Sequence, residues 1–224
     1  TRGKTMEPEI LFEDESLFVV YKPAGMATQT KAIAQMDLEM WLKNYRAGKG
    51  EDTYIGIIQR LDQPVEGITV VAKTKAAADE LTKQLRDHTL AKHYYAIITR
   101  GSLPKSGVME DYVVKDGTKG RAKVVPSSDP RAKKARLSYQ VIRERDHDCL
   151  VDIALETGRF HQIRVQFASR TAPLLGDTKY GGVSRGHGIS LCAYQVDFVH
   201  PVSKEPMHYE IAPKGADFVD FFAD

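Results

Sequence analysis

Apolar positions along the chain change period several times, and each change predicts an element. Ile10–Phe12 and Leu17–Tyr21 are short apolar runs around Glu13-Asp14-Glu15-Ser16, the pattern of a β-hairpin with an acidic turn. Lys22-Pro23-Ala24-Gly25-Met26 ends the second strand, because proline cannot continue a ladder and glycine offers positive φ. Leu38, Trp41, Leu42 and Tyr45 recur at helical spacing until Gly48–Gly50, which puts Trp41 on a core-facing stripe. Ile55–Lys73 reads as strand, turn, strand: β-branched runs on either side of Arg60-Leu61-Asp62, broken by Gln-Pro and Glu-Gly. The rest of the chain is organised around this stretch.

Thr74–Thr89 carries a stripe of Ala77, Leu81 and Leu85, with Thr74 as helix N-cap. Lys92–Thr99 alternates as a strand, with Tyr94, Ala96 and Ile98 on one face and His93, Tyr95 and Ile97 on the other. Ala135–Glu144 and Cys149–Glu156 form a second hairpin, turning at Arg145-Asp146-His147-Asp148. Arg159–Arg170 has helical spacing, with Phe160, Ile163, Phe167 and Ala168 on one side and Arg164 beside that stripe. Ile189–Phe198 and Met207–Ile211 read as closing strands, Asp217–Phe222 as a short last helix, and the polar Thr1–Pro8 as a frayed end. Without an internal repeat or a linker, the 224 residues read as one domain, 1–224, long enough to bury a core without staples.

Composition narrows the function classes. The formal net charge of +2 says little by itself, but its distribution is uneven. Lys115, Lys119, Arg121, Lys123, Arg131, Lys133, Lys134 and Arg136 are opposed over their length only by Asp116 and Asp129. With the Gly-, Pro- and Ser-rich Gly101–Pro130, which carries short β-like pieces at Tyr112–Val114 and Lys123–Val125, this run reads either as a solvated face or as a mobile basic arm that follows a phosphate backbone. Cys149 and Cys192 make neither a disulfide framework nor a zinc site. No apolar run approaches the roughly 18 residues of a membrane span, and the simplest location is a reducing cytoplasm. The histidines lack metal-hydrolase spacing, no Gly-x-Ser-x-Gly elbow occurs, and Pro173–Gly182 is glycine-rich without the form of a nucleotide loop. What remains is Asp62, the arginines Arg60 and Arg164 able to meet it, and Tyr94 on a strand. That set suits nucleophilic or base chemistry on a substrate held by stacking. His161, between Arg159 and Arg164, reads more readily as structural than as catalytic.

These residues carry a resemblance. VVYKPAGM, QRLD with Gly67 and VVAK, KHYYAII, TGRFHQIRVQF, PLLGDTKYGG and SLCAYQVDFVHP resemble, in order, the motifs of the RluA family of pseudouridine synthases. The resemblance implies isomerisation of uridine to pseudouridine in ribosomal or transfer RNA, with no cofactor and no metal. It implies an α+β fold, a mixed, mostly antiparallel sheet with flanking helices and a central cleft holding Asp62. Carried over, Asp62 is the essential carboxylate and Arg164 its compensating cation. Tyr94 is the ring that stacks on the target base, and Arg60 the side chain that fills the gap left by the flipped base. Lys133, Lys134 and Arg136 are expected on phosphates. A monomer is the default, and no room is seen ahead of Leu17 for a separate S4-type RNA-binding domain.

Four positions depart from the family pattern. Gln59 stands for its usual histidine, Val65-Glu66 for Thr-Ser, and Cys192 for a second histidine. Glu66 is expected to weaken RNA binding, or to raise the pKa of Asp62, unless it points outward or pairs with a lysine. The departures leave two other readings open: a catalytically silent RNA-binding protein of the same fold, and an unrelated hydrolase using Asp62.

Overall fold

In the computed structural model, which describes residues 6–99 and 101–223, the elements follow the predicted order. They are β1 (Glu9–Glu13), β2 (Leu17–Lys22), α1 (Leu38–Gly48), β3 (Gly56–Ile57), β4 (Glu66–Ala72), α2 (Lys75–Arg86), β5 (Ala91–Thr99) and β6 (Ser106–Asp116), then β7 (Arg121–Val125), β8 (Lys133–Arg145), β9 (Asp148–Leu155), α3 (Gln162–Ala168), β10 (Leu191–Val199), β11 (Pro206–Glu210) and α4 (Ala216–Phe222). The chain divides into two compact units: residues 1–91 with 193–213, and residues 92–192 with 214–224. Of the frayed end expected at Thr1–Pro8, residues 1–5 lie outside the described residues.

The first unit orders its strands β1-β2-β4-β10, with β11 on β10 and β3 on β4. β2 and β4 run antiparallel from Leu17 opposite Ala72 to Lys22 opposite Gly67. Both strands are buried along their whole length, which explains why LFVVYK and EGITVVA are nearly continuous apolar runs. One face of the pair, Leu17, Val19, Ile68 and Val70, packs on Ala77 and Leu81 of α2. The other, Phe18, Val20 and Val71, packs on Leu38 and Leu42 of α1, with Trp41 at the edge of that cluster. Each of the fully buried Leu, Ile, Val and Phe side chains among them contributes about 1.5–3 kcal/mol of burial. Thr74 caps α2 by accepting from the Ala77 N–H at 3.1 Å. Asp37 caps α1, its Oδ1 accepting from the Met40 N–H at 2.8 Å. Gly67 is required by geometry. Its φ is +145°, and a Cβ there would lie 2.5 Å from the Ala193 carbonyl oxygen of β10.

The second unit is antiparallel throughout the order β5-β9-β8-β6-β7. β8 and β9 are the hairpin predicted for Ala135–Glu156, turning through Asp146 at φ 52°. The basic stretch departs from expectation. Instead of a mobile arm, residues 106–125 form the β6–β7 hairpin, and β6 also pairs with β8 from Ser106 opposite Gln140 to Val113 opposite Lys133. Met109, Val113 and Val114 supply the buried side chains that hold it there. α3 is also shorter than the predicted Arg159–Arg170. His161 takes the left-handed conformation, φ 53° and ψ 26°, so helical bonding begins only at Gln162.

Candidate active site

Asp62 sits in the loop between β3 and β4, half-buried, in a turn closed by the Val65 N–H donating to the Asp62 carbonyl at 2.9 Å. The strand-ending segment KPAGM grips this loop by its backbone. The Gly25 N–H donates to the Gln63 carbonyl at 2.8 Å, and Gln63 Nε2 donates to the Gly25 carbonyl at 3.1 Å. On the other side of Asp62, the Thr28 hydroxyl donates to the Leu61 carbonyl at 3.0 Å and accepts from the Leu61 N–H at 3.2 Å. Both neighbours of Asp62 are therefore tied down by main-chain bonds.

Lys22 completes the arrangement, and sequence reasoning missed it. Its side chain is fully buried. Nζ donates to the carbonyls of Pro23 at 3.0 Å, Met26 at 2.6 Å and Gln63 at 3.3 Å, which uses all three ammonium protons. Burial pulls this ammonium down to about 8, while the carboxylates of Asp62 and Glu66 pull the other way. That attraction is mutual, so the ammonium also favours the ionised carboxylate. The signal in the sequence was a lysine closing an otherwise apolar strand just before a proline.

The departures from the family pattern find places here. Glu66 is buried and does not point outward; it lies within the field of Lys22. Gln59 is half-buried, and its Oε1 has no hydrogen-bond partner among the described residues. Arg60, next to it, is exposed.

In the second unit Tyr94 is buried on β5 opposite Ile153 of β9. Arg164 is buried on α3 and meets Asp177 through two parallel bonds, Nε to Oδ2 at 2.9 Å and Nη2 to Oδ1 at 2.8 Å. Asp177 lay in the glycine-rich PLLGDTKYGG loop, where nothing in the local pattern distinguishes a buried carboxylate from a turn aspartate. The Arg164 guanidinium also lies 5.1 Å from the Tyr180 ring centroid. His161 links the two: Nε2 is 3.2 Å from Arg164 Nη1, and Nδ1 is 2.7 Å from the Tyr180 hydroxyl. Burial first, then the charges of Arg164, Lys179 and Lys115, hold His161 down to about 3, so it is neutral at pH 7. A neutral ring facing an arginine must accept through Nε2 and donate from Nδ1 to Tyr180. The Ala122 N–H also donates to that hydroxyl at 2.7 Å, which ties α3 to β7.

The basic residues behave differently from one another. Lys133 is exposed. Lys134 reaches Glu110 at 3.4 Å, and Arg136 is held by both Glu110 at 2.8 Å and Glu156 at 2.6 Å. Further cations gather at the β6–β7 tip, where Lys179 Nζ donates to the Gly120 carbonyl at 3.1 Å and Lys115 Nζ lies 4.4 Å over the Phe160 ring. Among the described residues no group of three or more His, Cys, Asp or Glu side chains is placed to hold a metal ion. No helix among them is long and apolar enough to cross a membrane.

Comparison with known proteins shows the family and the fold. The family model described as RNA pseudouridylate synthase matches residues 16–169. The ribosomal large subunit pseudouridine synthase D of Zymomonas mobilis is 34% identical over 218 residues, covering 90% of this chain and 68% of that protein. The enzyme of the same name from Nitrosomonas europaea is 33% identical over 214 residues, covering 90% of this chain and 61% of that protein. The tRNA pseudouridine synthase C of Vibrio parahaemolyticus is 27% identical over 222 residues, covering 90% and 89%. In fold, the structure of human RNA Pseudouridylate Synthase Domain Containing 4 superposes with a TM-score of 0.74 at 24% identity, over 94% of this chain and 90% of that one.

Proposed function

The chain belongs to the RNA pseudouridylate synthase family, and from that premise we propose that it isomerises uridine to pseudouridine at defined positions of ribosomal or transfer RNA, with Asp62 as the reacting carboxylate. The isomerisation breaks the C1′–N1 bond of uridine, turns the uracil and forms a C1′–C5 bond. C5 gives up a proton and N1 gains one, so no oxidant or metal is consumed. Asp62, ionised, acts on the uridine as nucleophile or base, and Arg164 is the cation that supports it. Tyr94 stacks on the flipped base, which offsets part of the few kcal/mol that unstacking costs. Arg60 enters the vacated stack.

The observation that carries this reading is the treatment of Asp62. A fully buried lysine spends its three donors on carbonyls around the loop, one of them next to Asp62, and adds its charge to the carboxylate. A surface turn has no use for such a clamp. Lys133, Lys134 and Arg136 contact phosphates in this reading, with Lys133 contributing most because carboxylates already hold the other two. The protein acts as a cytoplasmic monomer, without metal or organic cofactor. No specific observation favours the catalytically silent alternative or the hydrolase.

The test is to map pseudouridines in total RNA from cells carrying the parent gene, no gene, or Asp62→Asn. The expected result is one or more sites present only with the parent. Equal modification by Asp62→Asn defeats the assignment of Asp62.

A further inference from the structure

Lys92 opens β5 as a nearly buried ammonium with 6% of its surface exposed. Among the described residues no hydrogen bond or ion pair reaches its Nζ; its contact is with the Tyr94 ring, whose centroid lies 5.9 Å away. The two residues stand two apart on one strand, so their side chains share a face. Burial pulls the Lys92 ammonium down to about 7, and among the described residues no carboxylate opposes it. Lys22, fully buried, has three carbonyls and two carboxylates around it. Nζ is not among the fully enclosed polar atoms that lack a partner, so it reaches the protein surface, while an apolar residue would serve an inward strand position better. A group that costs the fold stability without serving it marks a candidate functional site.

We propose that Lys92 is a further catalytic residue: its Nζ donates a hydrogen bond to a carbonyl oxygen of the uracil stacked on Tyr94 and stabilises the negative charge that gathers there as the C1′–N1 bond breaks. The proposal rests on the reading of Tyr94 as the stacking ring. A base lying about 3.5 Å over that ring in an offset stack carries its exocyclic oxygens about 4.5 Å from the ring centroid. An ammonium 5.9 Å from the same centroid comes within hydrogen-bond reach of such an oxygen when the base is turned with that oxygen toward the Lys92 side of the ring. The electron pair of the broken bond passes to the uracil and spreads over N1, O2 and O4. Lys92 keeps its proton throughout. When C1′–C5 has formed, the C5 proton leaves to solvent and N1 takes one up. A preorganised donor in a water-poor site acts most strongly on charge that appears only during the reaction.

The test uses full-length protein and a transcript carrying a uridine mapped as parent-dependent. Lys92→Met should lower the single-turnover rate about 100-fold, leave the Kd for the transcript within about threefold, and melt no lower than the parent. Lys92→Gln, which keeps an N–H donor, should be faster than Lys92→Met. A parental rate in Lys92→Met overturns the proposal. So does a lower melting temperature, which makes the lysine a structural residue, and so does a Lys92→Gln no faster than Lys92→Met. Tyr94→Ala is run beside them. If it turns over at the parental rate, the stacking reading itself fails, whereas loss with Tyr94→Ala but not with Lys92→Met sinks only the lysine.

Discussion

Arg164 and Asp177 form a doubly hydrogen-bonded ion pair, 2.9 and 2.8 Å, with both side chains buried. The pair joins α3 to the turn at Thr178–Tyr180, and through His161 and Tyr180 it reaches β7. Two of the three nitrogens of the guanidinium are committed to Asp177, so the plane of the group is set before any substrate arrives. A planar, permanently charged donor fixed in this way suits a site that needs a cation at a constant place.

Removing Asp177 leaves a buried guanidinium without its main partner inside the second unit. Asp177→Ala should cost about 3–5 kcal/mol in urea unfolding. Arg164→Met, which removes the charge along with the pairing, should cost less than Asp177→Ala. A loss below about 1 kcal/mol for Asp177→Ala means the pair does not organise α3.

Lys22 makes stability depend on alkaline pH in a defined direction. Its ordinary value of 10.5 falls to about 8 in the folded protein, so between those values the unfolded chain binds more protons than the native one. Stability then rises with pH across that window. Below about 8 both states are protonated and the burial penalty is full; above 10.5 it has gone. The stability of the parent relative to Lys22→Met should therefore increase from pH 8 to pH 10.5, by an amount on the order of 3 kcal/mol. Urea denaturation of both proteins at several pH values measures it. A gap that does not change with pH means Nζ is hydrated in the folded state.

The three basic residues of β8 should not contribute equally to RNA binding. Neutralising Lys133, Lys134 and Arg136 together should weaken binding across RNA sequences and flatten its dependence on salt. Taken singly, Lys133→Gln should lower the slope of log K against log salt by about 0.7–0.9. Arg136→Gln should change it far less, because Glu110 and Glu156 already neutralise that guanidinium. Equal slopes for parent and triple variant return this stretch to a solvated face.

Most elements were legible because their signals are local. Periodicity located the β1–β2 and β8–β9 hairpins, α1, α2 with its Thr74 cap, and the final helix within a few residues of their bounds. The basic run misled because Gly, Pro and Lys in Gly101–Pro130 speak for a loop, while the pairing of β6 with two neighbours at once is a long-range event. His161 shortened α3 for a related reason. A left-handed residue at the start of a helix is imposed by what the ring must reach, here Arg164 and Tyr180, and not by helix propensity.

The sequence by itself determined the order of strands and helices and the motifs that place the chain in its family, including Asp62, Tyr94 and Arg164. Spacing along the chain records which residues face a core and which chemistry recurs in order. Only the tertiary structure decided which charges serve as partners. Lys22 clamps the Asp62 loop across a separation of 41 residues, Asp177 takes Arg164 from 13 residues away, and Glu66 comes to rest inside the protein. Burial strengthens such pairs by excluding water. Burial is a property of the packed chain as a whole, so no local pattern of residues announces it.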